Sequence, residues 1–209
     1  MTNILFVTTS PRGEASLSTQ VAQTLLEDLK AGHPGAAVVT RDLGSDPLPH
    51  LGADQLGGFF TPEDQRTAGQ TAAVAVSDEL IGELKAADIV VIASAMINFS
   101  ITSTLKSWLD HLARAGLTFR YTEEGHPVGL VTGKKVYVVL ATGGVYSAAP
   151  GNAIDFQAPY LRHMLGFMGL TDVEIVRVEG SIFSPEAAEK AVNDATAKAH
   201  AVAAQAVAA

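Results

Sequence analysis

The sequence predicts an α/β fold, a doubly wound five-stranded parallel sheet with helices on both faces. Two observations predict it. Five short apolar runs alternate with longer segments whose apolar residues recur at helical spacing. One of these runs, Asp88–Ala93, is continuously apolar without alternation, which is typical of a strand buried on both faces of a parallel sheet. All 209 residues are expected to form a single domain, 1–209.

The first half of the chain begins with a strand, a helix and a second strand, and these are predicted at Ile4–Val7, Ser18–Lys30 and Val38–Thr40. The Gly- and Pro-rich stretch Leu43–Phe60 is expected to be irregular. Thr61-Pro62-Glu63-Asp64 has the pattern of a capping box with proline at the first helical position. It predicts a long helix that runs from there to about Ala86.

The second half continues the alternation after the central strand Asp88–Ala93. A small hairpin is predicted around Phe119, Tyr121 and Gly125. The remaining predicted elements are a helix Thr102–Ala115, a strand Lys135–Leu140, a helix Ala153–Met168, a strand Val173–Val178 and a C-terminal helix Ala187–Ala209 that Ser184-Pro185-Glu186 begins.

Composition excludes several kinds of chemistry. There is no cysteine, so thiolate nucleophiles, cysteine-held metals and redox dithiols are excluded, and redox work would need a bound cofactor. The six histidines lack metal-ligand spacing, and no metal is expected. The net charge of −8 argues against nucleic acid. The longest apolar run, Ile89–Ile97, is too short to span a membrane, and the N-terminus does not resemble a signal peptide, so we expect a cytoplasmic protein.

Three loops are expected to line one site. In an open parallel sheet, ligands bind outside the carboxyl ends of the strands, near the point where the strand order reverses. The loops after the first, third and fourth predicted strands are Thr8–Ser18, Ser94–Ser103 and Ala141–Ser147. Their convergence at one edge of the sheet favours a common ligand more strongly than any loop does alone.

The first loop is rich in hydroxyl groups and leads into a helix whose first amides have no partner inside the helix. Such a group of donors suits a phosphate. Capping of the helix by Ser16 or Ser18 explains the serines without a ligand, and this alternative stays open. Arg12 either binds the phosphate or pairs with Glu14, and we favour the pairing. The loop has neither the dinucleotide-binding glycine pattern nor a Walker pattern.

The second loop places large apolar residues on both sides of Asn98, a composition that suits a flat aromatic ligand. The alternative is that Met96 and Phe99 belong to the core and Asn98 stabilises a turn. The third loop contains Gly143 and Gly144, which suit a close backbone approach or a positive φ. An ordinary turn after the strand explains these glycines equally well.

Several segments together resemble the FMN-dependent NADH azoreductases, also called FMN-dependent NADH:quinone oxidoreductases. The likeness runs from the first strand to the last helix. The segments that carry it are Ser16-Leu17-Ser18, Met96-Ile97-Asn98-Phe99, Arg114–Tyr121, Gly129–Lys135 and Gly143-Gly144.

The resemblance implies a flavodoxin-like fold with strand order 2-1-3-4-5, and a homodimer whose two sites lie at the subunit interface. It implies one non-covalent FMN per subunit, NADH as electron donor, and quinones and aromatic azo compounds as acceptors. No catalytic side chain is implied, because the flavin carries the chemistry. The implied contacts are Ser10, Ser16, Leu17 and Ser18 to the phosphate, Met96, Ile97, Asn98 and Phe99 beside the ring system, and Thr142, Gly143, Gly144 and Val145 at its pyrimidine edge. Tyr121 would reach the substrate side of the partner's flavin.

The chain departs from the family pattern at three places. Ile97 stands where the family commonly has tyrosine, and Ala141-Thr142 stands where relatives often have Ser-Arg. The segment Leu51–Gln65 does not match well enough to carry over any substrate contact. A flavin-binding electron carrier or regulatory module without its own substrate is the alternative function.

Overall fold

The computed structural model describes residues 1–208, and their side chains as far as Ala206. Within them, five parallel strands form one sheet in the order β2-β1-β3-β6-β7, and a two-stranded hairpin pairs β4 with β5. The strands are β1 Asn3–Thr8, β2 Ala37–Asp42, β3 Ile89–Ala95, β4 Phe119–Tyr121, β5 Pro127–Gly129, β6 Lys135–Ala141 and β7 Asp172–Val178. The α-helices are α1 Leu17–Gly32, α2 Ala53–Phe60, α3 Ala68–Ala86, α4 Ser103–Leu112, α5 Ala158–Met168 and α6 Pro185–Ala208.

The predicted fold class and strand order are therefore confirmed, since β6 and β7 are the fourth and fifth strands of the sheet. The hairpin is also confirmed. The register aligns the carboxyl ends of the strands, because Thr8 pairs with Ala93, and Ala95 pairs with Ala141. Ala141 pairs in turn with Val178. The loops that follow these strands consequently leave the sheet at one edge.

Alternating residues of the strands feed two cores, one on each face of the sheet. Ile4 and Phe6 pack under α1 and α6, whereas Leu5 and Val7 belong to the core shared with α3, α4 and α5. The face of α6 in the first core is built from alanines, including Ala195. These small side chains let α6 lie close to α1 and the sheet. Of the predicted helix Ala187–Ala209, the structure describes α6 to Ala208, and Ala209 lies outside the described residues.

The prediction that Leu43–Phe60 is irregular is confirmed for residues 43–52 and wrong for the rest, because α2 occupies the last eight residues. The Gln55 side chain accepts a hydrogen bond from the Gly52 amide at 3.0 Å, which stabilises the first turn. Gly58 weakens the helix signal in the sequence, but packing requires it. A Cβ at Gly58 would lie 2.6 Å from Val74 Cγ2 of α3.

The start of α3 was predicted one turn and a half too early. Thr67, not Thr61, caps the helix: its hydroxyl accepts from the Gln70 amide at 3.2 Å, and the Gln70 side chain accepts from the Thr67 amide at 3.0 Å. Pro62 begins only the short 3-10 turn Glu63–Gln65. Arg66 fixes the intervening bend, since its Nε donates to the carbonyls of Gly58 and Thr61, both at 3.1 Å.

Helix α5 begins at Ala158 rather than at Ala153. A separate 3-10 turn, Gly151–Ile154, precedes it. Asp155 marks the boundary because its Oδ1 accepts hydrogen bonds from the amides of Gln157 at 2.9 Å and Ala158 at 3.0 Å. The helix thus starts behind an aspartate whose carboxylate satisfies its first free amides.

No helix in the described part of the chain is both long enough and apolar enough to cross a bilayer.

Candidate functional site

A cleft of about 340 Å³ lies at the carboxyl edge of the sheet, within the size range of small-molecule sites. The three predicted loops converge on it. The residues that line it are Ser10, Arg12, Ser16 and Leu17 from the first loop, Ala95, Met96 and Ile97 from the second, Ala141, Thr142 and Gly143 from the third, and Ser181 and Ile182 from the loop after β7. Ser18, Asn98, Phe99, Gly144 and Val145 belong to the same loops without lining this cleft.

The first loop gathers hydrogen-bond donors at the N-terminus of α1. Ser16 caps the helix, with its Oγ accepting from the Thr19 amide at 3.4 Å. The Oγ atoms of Ser16 and Ser18 lie 3.1 Å apart, and both side chains are buried. Among residues 1–208, the amides of Leu17 and Ser18 have no hydrogen-bond partner. The positive end of the helix dipole adds to these donors and makes the position suitable for an anion.

The capping alternative is therefore correct for Ser16 but leaves Ser18 unexplained. Ser18 is fully buried, and within the described part of the chain its hydroxyl forms a hydrogen bond only with that of Ser16. Ser10 is also buried, and its Oγ accepts from the Arg12 amide at 3.3 Å, which leaves its own proton free to donate. A buried group of donors of this kind is costly unless something satisfies it.

Our preference for an Arg12–Glu14 ion pair is wrong. Arg12 lines the cleft and forms no ion pair with Glu14 in the described part of the chain. Glu14 is the central residue of the 3-10 turn Gly13–Ala15, and Arg12 immediately precedes this turn. Arg12 is thus an exposed cation at the end of the cleft that holds the serines.

The second loop is a tight turn with unusual backbone angles. Asn98 has φ of 47° and Phe99 has φ of 70°. The flanking residues pair with each other, since the Ile97 amide donates to the Ser100 carbonyl at 2.9 Å and the Ser100 amide donates back at 3.1 Å. Two successive positive φ angles are those of a type I′ turn. Asparagine tolerates this region well, whereas a bulky residue such as phenylalanine is strained there, by about 1–3 kcal/mol.

The expectation that Asn98 stabilises a turn is correct, but Phe99 is not a core residue, because 48% of it is exposed. Met96 is half-buried and its amide donates to the Ala141 carbonyl at 2.8 Å, which joins the second loop to the third. The amides of Asn98 and Phe99 have no partner among the described residues. Strain of this kind tends to occur where a backbone meets a ligand.

Neither glycine of the third loop has a positive φ, and an added side chain would be crowded only at Gly144. A Cβ at Gly143 would lie 3.4 Å from the Cβ of Ile182, and one at Gly144 would lie 3.2 Å from the Tyr146 ring. The carbonyls of the two glycines accept from the Ile182 amide at 3.1 Å and from the Gly180 amide at 3.0 Å. The amides of Gly143, Gly144 and Val145 have no partner within residues 1–208.

Sequence reasoning missed the loop after β7, which supplies Ser181 and Ile182 to the cleft. The Ser181 hydroxyl donates to the Thr142 carbonyl at 3.2 Å, so this loop is attached to the third one. A signal was present, because the fifth strand of a parallel sheet ends at the same edge as the others. The predicted site includes only the loops after the first, third and fourth strands.

Tyr121 is not brought to the cleft of its own chain. It lies in the hairpin, 57% exposed, with its ring packed edge-on against Phe119 at a centroid distance of 5.7 Å. Among the described residues, no cluster of three or more His, Asp or Glu side chains is placed to hold a metal ion.

The parallel sheet in this order, with hydroxyl- and amide-rich loops at its carboxyl edge, defines a protein of the flavodoxin-like class. The protein-family model described as the flavodoxin-like fold matches residues 2–203 of the chain. The chain belongs, within that class, to the family of FMN-dependent NADH:quinone oxidoreductases and azoreductases, so the resemblance seen in the sequence is confirmed.

Relatives with that name are similar over nearly their whole length. The FMN-dependent NADH:quinone oxidoreductase of Rhizobium johnstonii is 54% identical over 198 residues, which cover 95% of this chain and 96% of that protein. The protein of the same name from Agrobacterium fabrum is also 54% identical, with the same shares covered.

Solved structures agree. The azoreductase from Bacillus anthracis str. Sterne has a TM-score of 0.89 at 36% identity, with 97% of this chain and 99% of that one covered. An FMN-dependent NADH-azoreductase from Bacillus anthracis str. Ames Ancestor, solved in complex with FMN, has a TM-score of 0.86 at 27% identity, and the match covers 97% of this chain and all of that one.

Proposed function

We propose that this chain is an FMN-dependent NADH:quinone oxidoreductase that also reduces aromatic azo compounds, with one non-covalent FMN per subunit. The observation that carries the proposal is the distribution of unsatisfied donors around the cleft. Buried hydroxyls and free amides gather at the N-terminus of α1, and further free amides lie in the second and third loops.

These donors fit the two polar ends of FMN. A phosphate has only acceptor oxygens and is attracted to a helix N-terminus, so Ser10, Ser16, Leu17 and Ser18 would hold it. The pyrimidine edge of the flavin presents carbonyl oxygens, and the free amides of Gly143, Gly144 and Val145 would donate to that edge with Thr142 beside them. The turn Met96–Phe99 would lie along the ring system.

Bound FMN would carry two electrons at a time from NADH to the acceptor, so that a quinone needs one round and an azo bond needs two. The chain's own residues bind, orient and exclude water. Ile97, Phe99 and Ile182 are exposed apolar side chains at or beside the cleft, and they provide a surface on which a flat aromatic acceptor can lie. No side chain is needed as a nucleophile. The proton that the acceptor takes up during reduction would come from solvent or from Tyr121.

A homodimer with a site at each end of its interface is part of the proposal. Large apolar side chains are exposed beside the cleft, where a monomer would be expected to be polar: Phe156 is 59% exposed and Phe183 is 70% exposed. Such exposure supports an interaction surface. The partner subunit's Tyr121 would then stand on the substrate side of the flavin. One domain of residues 1–209, working in the cytoplasm where NADH is available, completes the proposal.

The alternative is an electron carrier or regulatory module that binds FMN without a substrate of its own. The hairpin β4–β5 and the long connection between β2 and β3, which carries α2 and α3, add structure beyond the sheet and its covering helices. Extra elements of this kind suit a dimeric enzyme with a covered site. We therefore favour the enzyme.

Absorption spectroscopy, gel filtration and steady-state kinetics test the proposal. Purified protein should be yellow, keep its flavin through gel filtration and elute as a dimer. Menadione or methyl red should stimulate NADH oxidation, and apoprotein should regain this activity when FMN is added back. Protein that stays colourless and takes up no FMN would refute the proposal. Tight FMN binding without turnover would identify the carrier instead.

A further inference from the structure

Three charged side chains lie behind the cleft and have no part in the proposed function. Arg177, in β7, donates from Nη2 to Asp155 Oδ2 at 3.0 Å and from Nη1 to Glu179 Oε1 at 3.4 Å. The side chains of Asp155 and Glu179 are only 4% and 13% exposed, and that of Arg177 is 23% exposed. None of the three lines the cleft.

Each of the two carboxylates supports a different loop of the site. Glu179 Oε1 accepts from the Tyr146 amide at 2.9 Å, directly after the free amides of the third loop. Asp155 begins the segment that supports the second loop. The amide of the next residue, Phe156, donates to the carbonyl of the strained Phe99 in that loop at 3.0 Å. The rings of Phe99 and Tyr146 meet edge-on, with centroids 6.4 Å apart.

Arg177 is therefore the side chain that joins the supports of the two loops. Without it, two largely buried carboxylates would lose the cation that both of them contact. Removing one partner of a buried ion pair leaves an uncompensated charge and is strongly destabilising locally. The two segments would move apart to let water reach the carboxylates. The parts of the second and third loops beyond the Met96–Ala141 hydrogen bond would then lose their fixed separation.

We propose that Arg177 is a positioning residue that holds the second and third loops at the separation required by the flavin ring system. The proposal rests on the proposed function, because it presumes that these loops hold FMN. It concerns only the flavin ring system. Ser16 and Ser18, which would hold the phosphate, form no hydrogen bond with Arg177 or with the two carboxylates that Arg177 contacts.

The test is fluorescence titration of the apoprotein with FMN and, separately, with riboflavin, which lacks the phosphate. If Arg177→Met reduces the population of binding-competent loops to a tenth, both dissociation constants rise by about tenfold. The ratio of the two constants stays at the wild-type value, because the phosphate contacts are intact. A general loss of stability would not change either constant well below the melting temperature.

Two further variants and a control make the test specific. Arg177→Met combined with Glu179→Gln removes one of the facing charges while keeping an acceptor for the Tyr146 amide, so it should recover much of the affinity. Arg177→Lys keeps the charge and should bind better than Arg177→Met. The matched control is Arg41→Met: Arg41 also bridges two carboxylates, Glu79 and Glu83, but on the opposite edge strand β2, and its loss should leave both constants unchanged.

Unchanged constants in Arg177→Met, or weakened FMN binding with unchanged riboflavin binding, would overturn the inference. So would a double variant that binds no better than Arg177→Met. Should Arg177→Met not fold, Arg177→Lys carries the same comparison: both constants should rise together by a smaller factor, and unchanged constants would overturn the inference. Failure of the wild-type apoprotein to bind FMN would refute the proposed function itself, and this measurement comes first.

Discussion

Removal of the two hydroxyls at the start of α1 should weaken the binding of FMN far more than that of riboflavin. The change is Ser16→Ala together with Ser18→Ala. Both side chains are buried, and their Oγ atoms are 3.1 Å apart, so one hydroxyl donates to the other and a single proton is left for a ligand. The pair can therefore offer one hydrogen bond to a phosphate without rearrangement.

The expected loss of FMN affinity follows from the single hydrogen bond that the two serines can donate. A hydrogen bond to a charged group contributes about 1.5–3 kcal/mol, which corresponds to a loss of roughly 10- to 150-fold in affinity for FMN. Riboflavin has no phosphate, so its affinity should change little. Ser16 also caps α1, and the loss of a cap costs about 1 kcal/mol of folding stability. Any effect of the lost cap on the geometry of the cleft falls on both ligands alike.

The assay is fluorescence titration of the apoprotein with each flavin. Ser18→Ala alone is informative because Ser18 is not the cap, so it should reproduce much of the selective loss with little change in stability. Thr67→Ala is the matched control: it removes the cap of α3, away from the cleft, and should lower stability without altering either affinity. Equal weakening of FMN and riboflavin by the double variant would refute a phosphate site and leave only a helix cap.

Three other predictions concern acceptor choice, core packing and pH. Ile97→Tyr should change the relative rates with menadione and methyl red more than it changes FMN affinity, because Ile97 lines the cleft and is 46% exposed; unchanged relative rates would make the position structural. Trp108→Ala should cost about 3–5 kcal/mol in denaturant unfolding. Trp108→Phe should cost clearly less, because it keeps a ring and removes a buried indole N–H that has no partner among the described residues; equal costs would contradict this. Partial burial raises the pKa of Asp42, but hydrogen bonds from Ser45 and Thr8 outweigh it and lower the pKa overall. The stability from Asp42 is thus complete above its unfolded pKa of about 3.9 and is lost as pH falls through the lower folded value, so Asp42→Asn should flatten the acid limb of a stability–pH curve, and an unchanged limb would contradict the assignment.

Local patterns predicted the sheet and the position of the site, because strand burial and strand order are set by short apolar runs and by topology. They failed where two local signals compete. Thr61 and Thr67 both begin plausible capping boxes, and the choice between them depends on the packing of Gly58 against Val74 of α3. A contact between two helices decides the outcome, and the capping pattern at either threonine does not include that contact.

The ion pairs of Arg177 behind the cleft could not be predicted from local sequence for the same reason. Glu179 is only two residues from Arg177, but Arg177 meets Asp155 through the fold, in which β7 pairs with β6 in a register that sets Arg177 beside Leu140. In the sequence, the three residues look like ordinary surface charges near the end of a strand and the start of a helix. The loop with Ser181 and Ile182 differs, since the same topological rule that located the other loops would have located it.

The strained turn at Asn98 and Phe99 is held in place by hydrogen bonds to neighbouring segments. A phenylalanine with φ of 70° costs free energy that the turn itself cannot recover, and the sequence offers no glycine there. The conformation persists because the Phe99 carbonyl is held by the Phe156 amide and the Met96 amide is held by the Ala141 carbonyl, on either side of the turn. In this conformation the amides of Asn98 and Phe99 have no partner among the described residues, and the Phe99 side chain is half-exposed next to Ile97, which lines the cleft. A ligand that takes up these amides would offset part of the cost, so binding and turn geometry should stabilise each other.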